Sequence, residues 1–128
     1  MGAMADALKE KVEEAHTLAK NLEGQVPTAY LDELGAVKEE SCTTSEEYAA
    51  AIAQIANLIA EVNVVKVDFA AKFLNTKEYA DNLKGVVLAD DAVKGELQSA
   101  IEATSAKALA SKDKEVWTAA GNELLGSC

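Results

Sequence analysis

The residues equipped for chemistry in this chain are few: one histidine, His16, two cysteines, Cys42 and Cys128, and adjacent acids such as Glu13-Glu14, Glu39-Glu40, Glu46-Glu47 and Asp90-Asp91. A cysteine nucleophile needs a neighbouring base to form its thiolate, and His16 is the sole imidazole. Nothing in the spacing brings Cys42 and His16 together. Cys42 is therefore read as an inert loop thiol or as one half of a Cys42–Cys128 disulfide, which would fit an extracellular or cell-surface home. Carboxylate metal centres on helices require Glu-x-x-His elements facing inward, and none occurs. Three of the four acid pairs fall at expected helix ends, where the macrodipole or solvation accounts for them. Two cysteines and one histidine do not complete a zinc site. Gly-x-Ser-x-Gly and Gly-x-x-x-x-Gly-Lys are both absent, which removes the nucleophile elbow and the phosphate loop. The expectation is no enzyme, no metal and no cofactor.

His16 has one further reading. The segment Ala15-His16-Thr17-Leu18-Ala19-Lys20, on an acidic helix, is similar to the phosphoacceptor segment of histidine phosphotransfer domains. That resemblance covers about six residues and implies an exposed His16 as the phosphoacceptor. The lysine and glycine that follow at the third and fourth positions in the family are Ala19 and Lys20 here, and His16 lies on the first helix rather than deep in a bundle. An acyl carrier is excluded by the missing Asp-Ser-Leu attachment motif. The Ala/Glu/Lys-rich composition resembles that of various secreted allergens and parasite or microbial surface proteins.

Charge narrows the partners. The 128 residues carry a formal charge of −10, and all 12 basic residues are lysines. Arginine is the usual bidentate partner of phosphate and guanine, so its absence on an acidic chain argues against nucleic acid. Anionic membrane surfaces are repelled for the same reason. No unbroken run of about 18 apolar residues marks a transmembrane segment.

These side chains must be positioned by helices. Alanine is abundant, and the only proline, Pro27, follows a natural stop at Gly24. Met1 to Met4 reads as an expression remnant, leaving one domain over residues 5–128. Leu8, Val12, Ala15, Leu18 and Leu22 recur at helical steps and predict a first helix. Thr28 is expected to cap a short second one with Tyr30 or Leu31, Leu34 and Val37 inward. Residues 39–43 read as a loop. Thr44-Ser45-Glu46-Glu47 is a capping box that opens a long helix. Its inward stripe is Tyr48, Ala51, Ile55, Leu58, Val62, Val65, Phe69 and Phe73, widened by Ile52 and Ile59. A break at Asn75-Thr76 leads to a helix with Tyr79 and Leu83 that stops at Gly85, then an apolar link over 86–88. Asp90 or Asp91 opens the next helix, with Val93, Leu97, Ala100, Ile101, Thr104 and Ala108 inward. Ser111 is expected to cap the last, with Val116, Trp117, Ala120 and Leu124 inward. The fold class is all-α, an antiparallel up-and-down bundle of five or six helices around a long central helix over about 45–74.

The long helix carries a second apolar series, Ala60, Val64, Val67, Ala71 and Leu74, opposite its inward stripe at 100° per residue. Such a helix is central in its core, lines a cavity, or presents one side to a partner. A non-enzymatic binding or interaction module, secreted or surface-displayed, is the first functional reading. Carriage of a fatty acid or similar hydrophobic ligand is the alternative, with phosphotransfer a remote third. Partners are then an unidentified protein, a small hydrophobic ligand, or a second copy in a homodimer.

Overall fold

The structure is a computed structural model that describes residues 2–86 and 91–128, and it is an all-α bundle. The chain forms two compact units, up to Lys66 and from Val67 onward.

In the first unit, α1 (Gly2–Asn21) buries Leu8, Val12 and Ala15, the 4-3 spacing that puts residues on one helical face. Gly24 reverses the chain at φ 78°, the left-handed conformation that favours glycine. Val26 and Pro27 are buried beside it, and α2 (Thr28–Gly35) contributes Tyr30 and Leu34. Residues 37–43 form a non-helical strap leading to α3 (Ser45–Phe69). Ala51, Ile55, Ile59, Val62 and Val65 of α3 complete the buried set. Each fully buried large aliphatic side chain contributes about 1.5–3 kcal/mol. The exposed Lys11–Glu14 pair contributes a few tenths at most, so apolar burial decides the packing.

In the second unit, α3 ends at Phe69 and continues without a stop through a π-helical turn, Ala70–Leu74, into α4 (Asn75–Val86). The Asn75 amide donates to the Ala70 carbonyl five residues back, the defining bond of a π turn. Then come α5 (Asp91–Leu109) and α6 (Lys114–Gly126). α6 packs on α5, α4 and the π turn. Phe69, Phe73 and Trp117 are fully buried there, with Trp117 edge-on to Phe69 at 5.1 Å and Phe73 tilted at 5.8 Å. The Trp117 indole donates to the Ser111 carbonyl at 2.6 Å, so its one polar atom is satisfied. Gly121 lets α6 approach: a Cβ there would come closer than 3.0 Å to the Lys72 carbonyl oxygen of the π turn.

Several sequence expectations are corrected. Asn75 and Thr76 do not break the helix, because neither residue is costly enough in a helix interior to end it when its amide has a partner. The π turn also shifts the register beyond it, since residues there no longer advance by a uniform 100°. Ala80 is therefore the buried residue of α4, Leu83 is half-buried and Tyr79 is exposed. Val93 is exposed rather than inward, and α4 runs one residue past Gly85. Thr28 is the first helical residue of α2 and makes no cap, since Pro27 precedes the helix. The cap of α6 is Asp113, whose carboxylate accepts the Glu115 amide at 2.9 Å; Ser111 instead accepts the Asp113 amide at 3.0 Å, one turn earlier in the approach. Asp91 is already helical, while Asp90 and the link at 87–88 lie outside the described residues.

Candidate functional site: the outward side of α3 and the cleft beside it

The second apolar series is not core. Ala60, Val64, Val67 and Ala71 are exposed, with Val64 at 66% and Val67 at 71%, and Leu74 is half-buried at the π turn. Ala53 and Asn57 continue the exposed series toward the start of α3. The helix running from Ser45 to Val86 contains an 18-residue window of mean hydropathy 1.4, long and apolar enough to cross a membrane by length and composition. Only 22% of that window is buried. Scattered polar residues such as Asn57 and Glu61 break the run yet leave the window's average apolar, which is why a search for an unbroken stretch passes over it.

The start of α3 is fixed as its sequence implies. One Glu47 carboxylate oxygen accepts the Thr43 and Thr44 amides at 2.9 and 3.0 Å and both hydroxyls, while the Glu47 amide donates to Thr44 Oγ1 at 3.1 Å. Those donors, the Thr43 amide foremost, hold the Glu47 carboxyl down at about 2. The other end of the strap is held by His16. Its Nε2 bonds the Val37 carbonyl at 2.6 Å, which requires the proton on that nitrogen. A phosphoacceptor role at Nε2 would require this bond to open.

Between these two attachments lies a half-open cleft of about 350 Å³. It is lined by Ala51, Gln54, Ile55 and Leu58 of α3, by Glu33 of α2, and by Ala36, Val37, Lys38 and Glu40 of the segment that follows α2. Sequence reading missed this feature, since it depends on where the strap lies over α3.

The two cysteines do not form the disulfide that the sequence suggested; both are free thiols. Partial burial, then the nearby Glu47 and Glu40 charges, push the Cys42 thiol up and away from thiolate. That environment is the reverse of one that activates a nucleophile. Cys128 donates weakly to the Leu124 carbonyl at 3.4 Å.

In the second unit, Asp68 is held by Lys72, four residues on, and by Lys114, whose Nζ lies 3.1 Å from the other oxygen as an ion pair without hydrogen-bond alignment. The Lys72 and Lys114 ammoniums keep its carboxyl below the usual range. Lys72 and Lys114 border a groove of about 280 Å³ with Thr118 and Asn122, but both ammoniums are already committed to Asp68. No cluster of three or more metal-ligating side chains occurs among the described residues. The chain matches no protein-family model, no curated protein and no solved structure.

Proposed function

We propose that this chain is a non-enzymatic interaction module whose partner is a second copy of itself, paired along the outward side of α3. The observation that carries the reading is the exposure of Val64 and Val67 on a helix whose other side is already buried. The pattern is self-complementary. Asn57 and Val64 stand seven residues apart at one position of a heptad, and Ala53, Ala60 and Val67 at the other, with small residues allowing close approach. In parallel pairing Asn57 meets its own copy, which is the arrangement in which a single buried asparagine sets register. Ala56 then faces Glu61 of the partner and Asn63 faces Asp68, so no like charges meet along the seam.

The affinity expected is modest. Burying a valine yields about 1.5–3 kcal/mol, and four valines per pair of chains supply on the order of 6–12. Association itself costs about 4–15 kcal/mol, so at most about 8 kcal/mol remains and the dimer is micromolar at its tightest. Sedimentation equilibrium over a wide concentration range tests it. Wild type is expected to fit a monomer–dimer equilibrium that the Val64→Glu/Val67→Glu variant loses while keeping its helical circular dichroism. A wild type that stays monomeric at every concentration overturns the reading, and flotation of that monomer with uncharged phosphatidylcholine vesicles would assign the face to a lipid surface instead.

A further inference from the structure

We infer that the π turn sets the register for self-association: it brings Tyr79 and Val86 of α4 onto the outward line of Val67 and Ala71, so that the second copy pairs over α4 as well as α3. The inference rests on the pairing along α3 proposed above. In a uniform helix, at about 100° per residue, Tyr79 and Val86 would stand about 100–120° around the axis from Val67, and Glu78 would lie close to its line. The bond from the Asn75 amide to the Ala70 carbonyl takes one extra residue to close its turn, which sets every later residue back by about 100°. Tyr79 and Val86 then fall within about 20° of the Val67 line, and Glu78 moves well off it.

Exposure and charge agree with this line. Val67, Ala71, Asn75, Tyr79, Asn82 and Val86 are all exposed, Tyr79 at 53% and Val86 at 70%. None of them is charged, although α4 carries Lys77, Glu78, Asp81 and Lys84 on its other sides. In parallel pairing each residue of the line meets its own copy: Val86 meets Val86, the Tyr79 rings stack offset with their hydroxyls at the water edge, and the Asn82 amides pair. No like charges meet there. The length of the line points to the same partner. Between Ala53 and Ala71 the outward side of α3 runs about 27 Å, and a strip about 10 Å wide offers about 270 Å² per copy. A specific interface needs about 500 Å² from each partner, which α3 alone does not supply. Continuing to Val86 lengthens the strip to about 50 Å and meets that need.

Sedimentation equilibrium of the full chain separates this inference from the reading it rests on. Tyr79→Ser/Val86→Ser leaves the charge unchanged and removes two apolar contacts per copy, so it is expected to raise the dimer dissociation constant at least about tenfold. Both positions are exposed, so helical circular dichroism and Trp117 emission are expected to stay as in wild type. Disulfide trapping reads the register itself. With Cys42→Ser and Cys128→Ser in place, Tyr79→Cys is expected to convert to covalent dimer at least about tenfold faster than Glu78→Cys, which lies about 100° around the helix. A wild-type dimer that Val64→Glu/Val67→Glu abolishes and Tyr79→Ser/Val86→Ser leaves unchanged overturns the inference while keeping the pairing along α3. Trapping through Glu78→Cys as fast as through Tyr79→Cys overturns it as well. A wild type that is monomeric at every concentration overturns both.

Discussion

Replacing Gly121 with alanine sets two effects of opposite sign against each other. Gly121 lies inside α6, where alanine is favoured over glycine by about 1 kcal/mol. Its missing Cβ, however, is the space occupied by the Lys72 carbonyl of the π turn. The new methyl would sit closer than 3.0 Å to that oxygen and 3.5 Å from its carbon, where ordinary contact begins at 3.4 Å. The obstacle is backbone, locked by the fully buried Phe69, Phe73 and Trp117, so it cannot turn aside as a side chain would. Overpacking of this kind costs about 1–3 kcal/mol, and a backbone collision belongs at the upper end. The net expectation is a loss of about 2 kcal/mol. Gly95, in the middle of α5, has nothing within 4 Å of its Cβ position, so Gly95→Ala is expected to gain about 0.5–1 kcal/mol. Trp117 is the only tryptophan and reports on the second unit during urea unfolding. With a slope of about 1–3 kcal/mol per molar urea, the Gly121→Ala midpoint should fall by about 1 M while that of Gly95→Ala rises. Stabilisation by Gly121→Ala, in parallel with Gly95→Ala, would refute the close approach of α6 to the π turn.

Three further outcomes concern Glu47, His16 and the two thiols. The Glu47 carboxyl titrates at about 2 when folded against 4.5 otherwise, so its contribution is complete above the unfolded value and is lost as pH falls through 2. Carboxyl-carbon NMR should show that midpoint, and Thr44→Ala should cost about 1 kcal/mol by removing the reciprocal hydroxyl. His16→Ala removes the bond to Val37 and should cost about 1 kcal/mol, with faster amide exchange along the strap; unchanged exchange there would show that His16 does not hold it. Two thiols should be counted by mass in unreduced protein, and iodoacetamide at mildly alkaline pH should modify exposed Cys128 before Cys42, whose thiol is pushed up.

The parts of the fold that depend on local periodicity and capping are legible in the residues. The Leu8, Val12, Ala15 stripe, the Gly24 reversal and the Thr44/Glu47 box all appear where their chemistry demands. Tyr79 departs from its expected inward place for a different reason: a π turn inserts a shift that no residue between Ala70 and Leu74 announces. Gly121 of α6 packs closely on this turn at the Lys72 carbonyl. Thr28 and Ser111 are competent caps by type, but Pro27 and Asp113 occupy the position that matters. The second apolar series on α3 was visible as a pattern, while its exposure required knowing what the other helices cover. The cleft is not legible in the sequence, because Glu33, Lys38 and Glu40 look like ordinary solvated charges until α2 and the strap place them beside Ile55 and Leu58.

Self-association through α3 is tested most directly by disulfide trapping at the proposed seam. A chain with Cys42→Ser and Cys128→Ser carries Val67→Cys as its only thiol, and its outward-facing counterpart places the cysteine at exposed Glu102 on α5. Under mild oxidation the Val67→Cys chain should convert to covalent dimer far faster than the Glu102→Cys chain, and Val64→Glu should suppress it. Equal, slow cross-linking of the two thiols, unaffected by Val64→Glu, would contradict the pairing of two copies along this face.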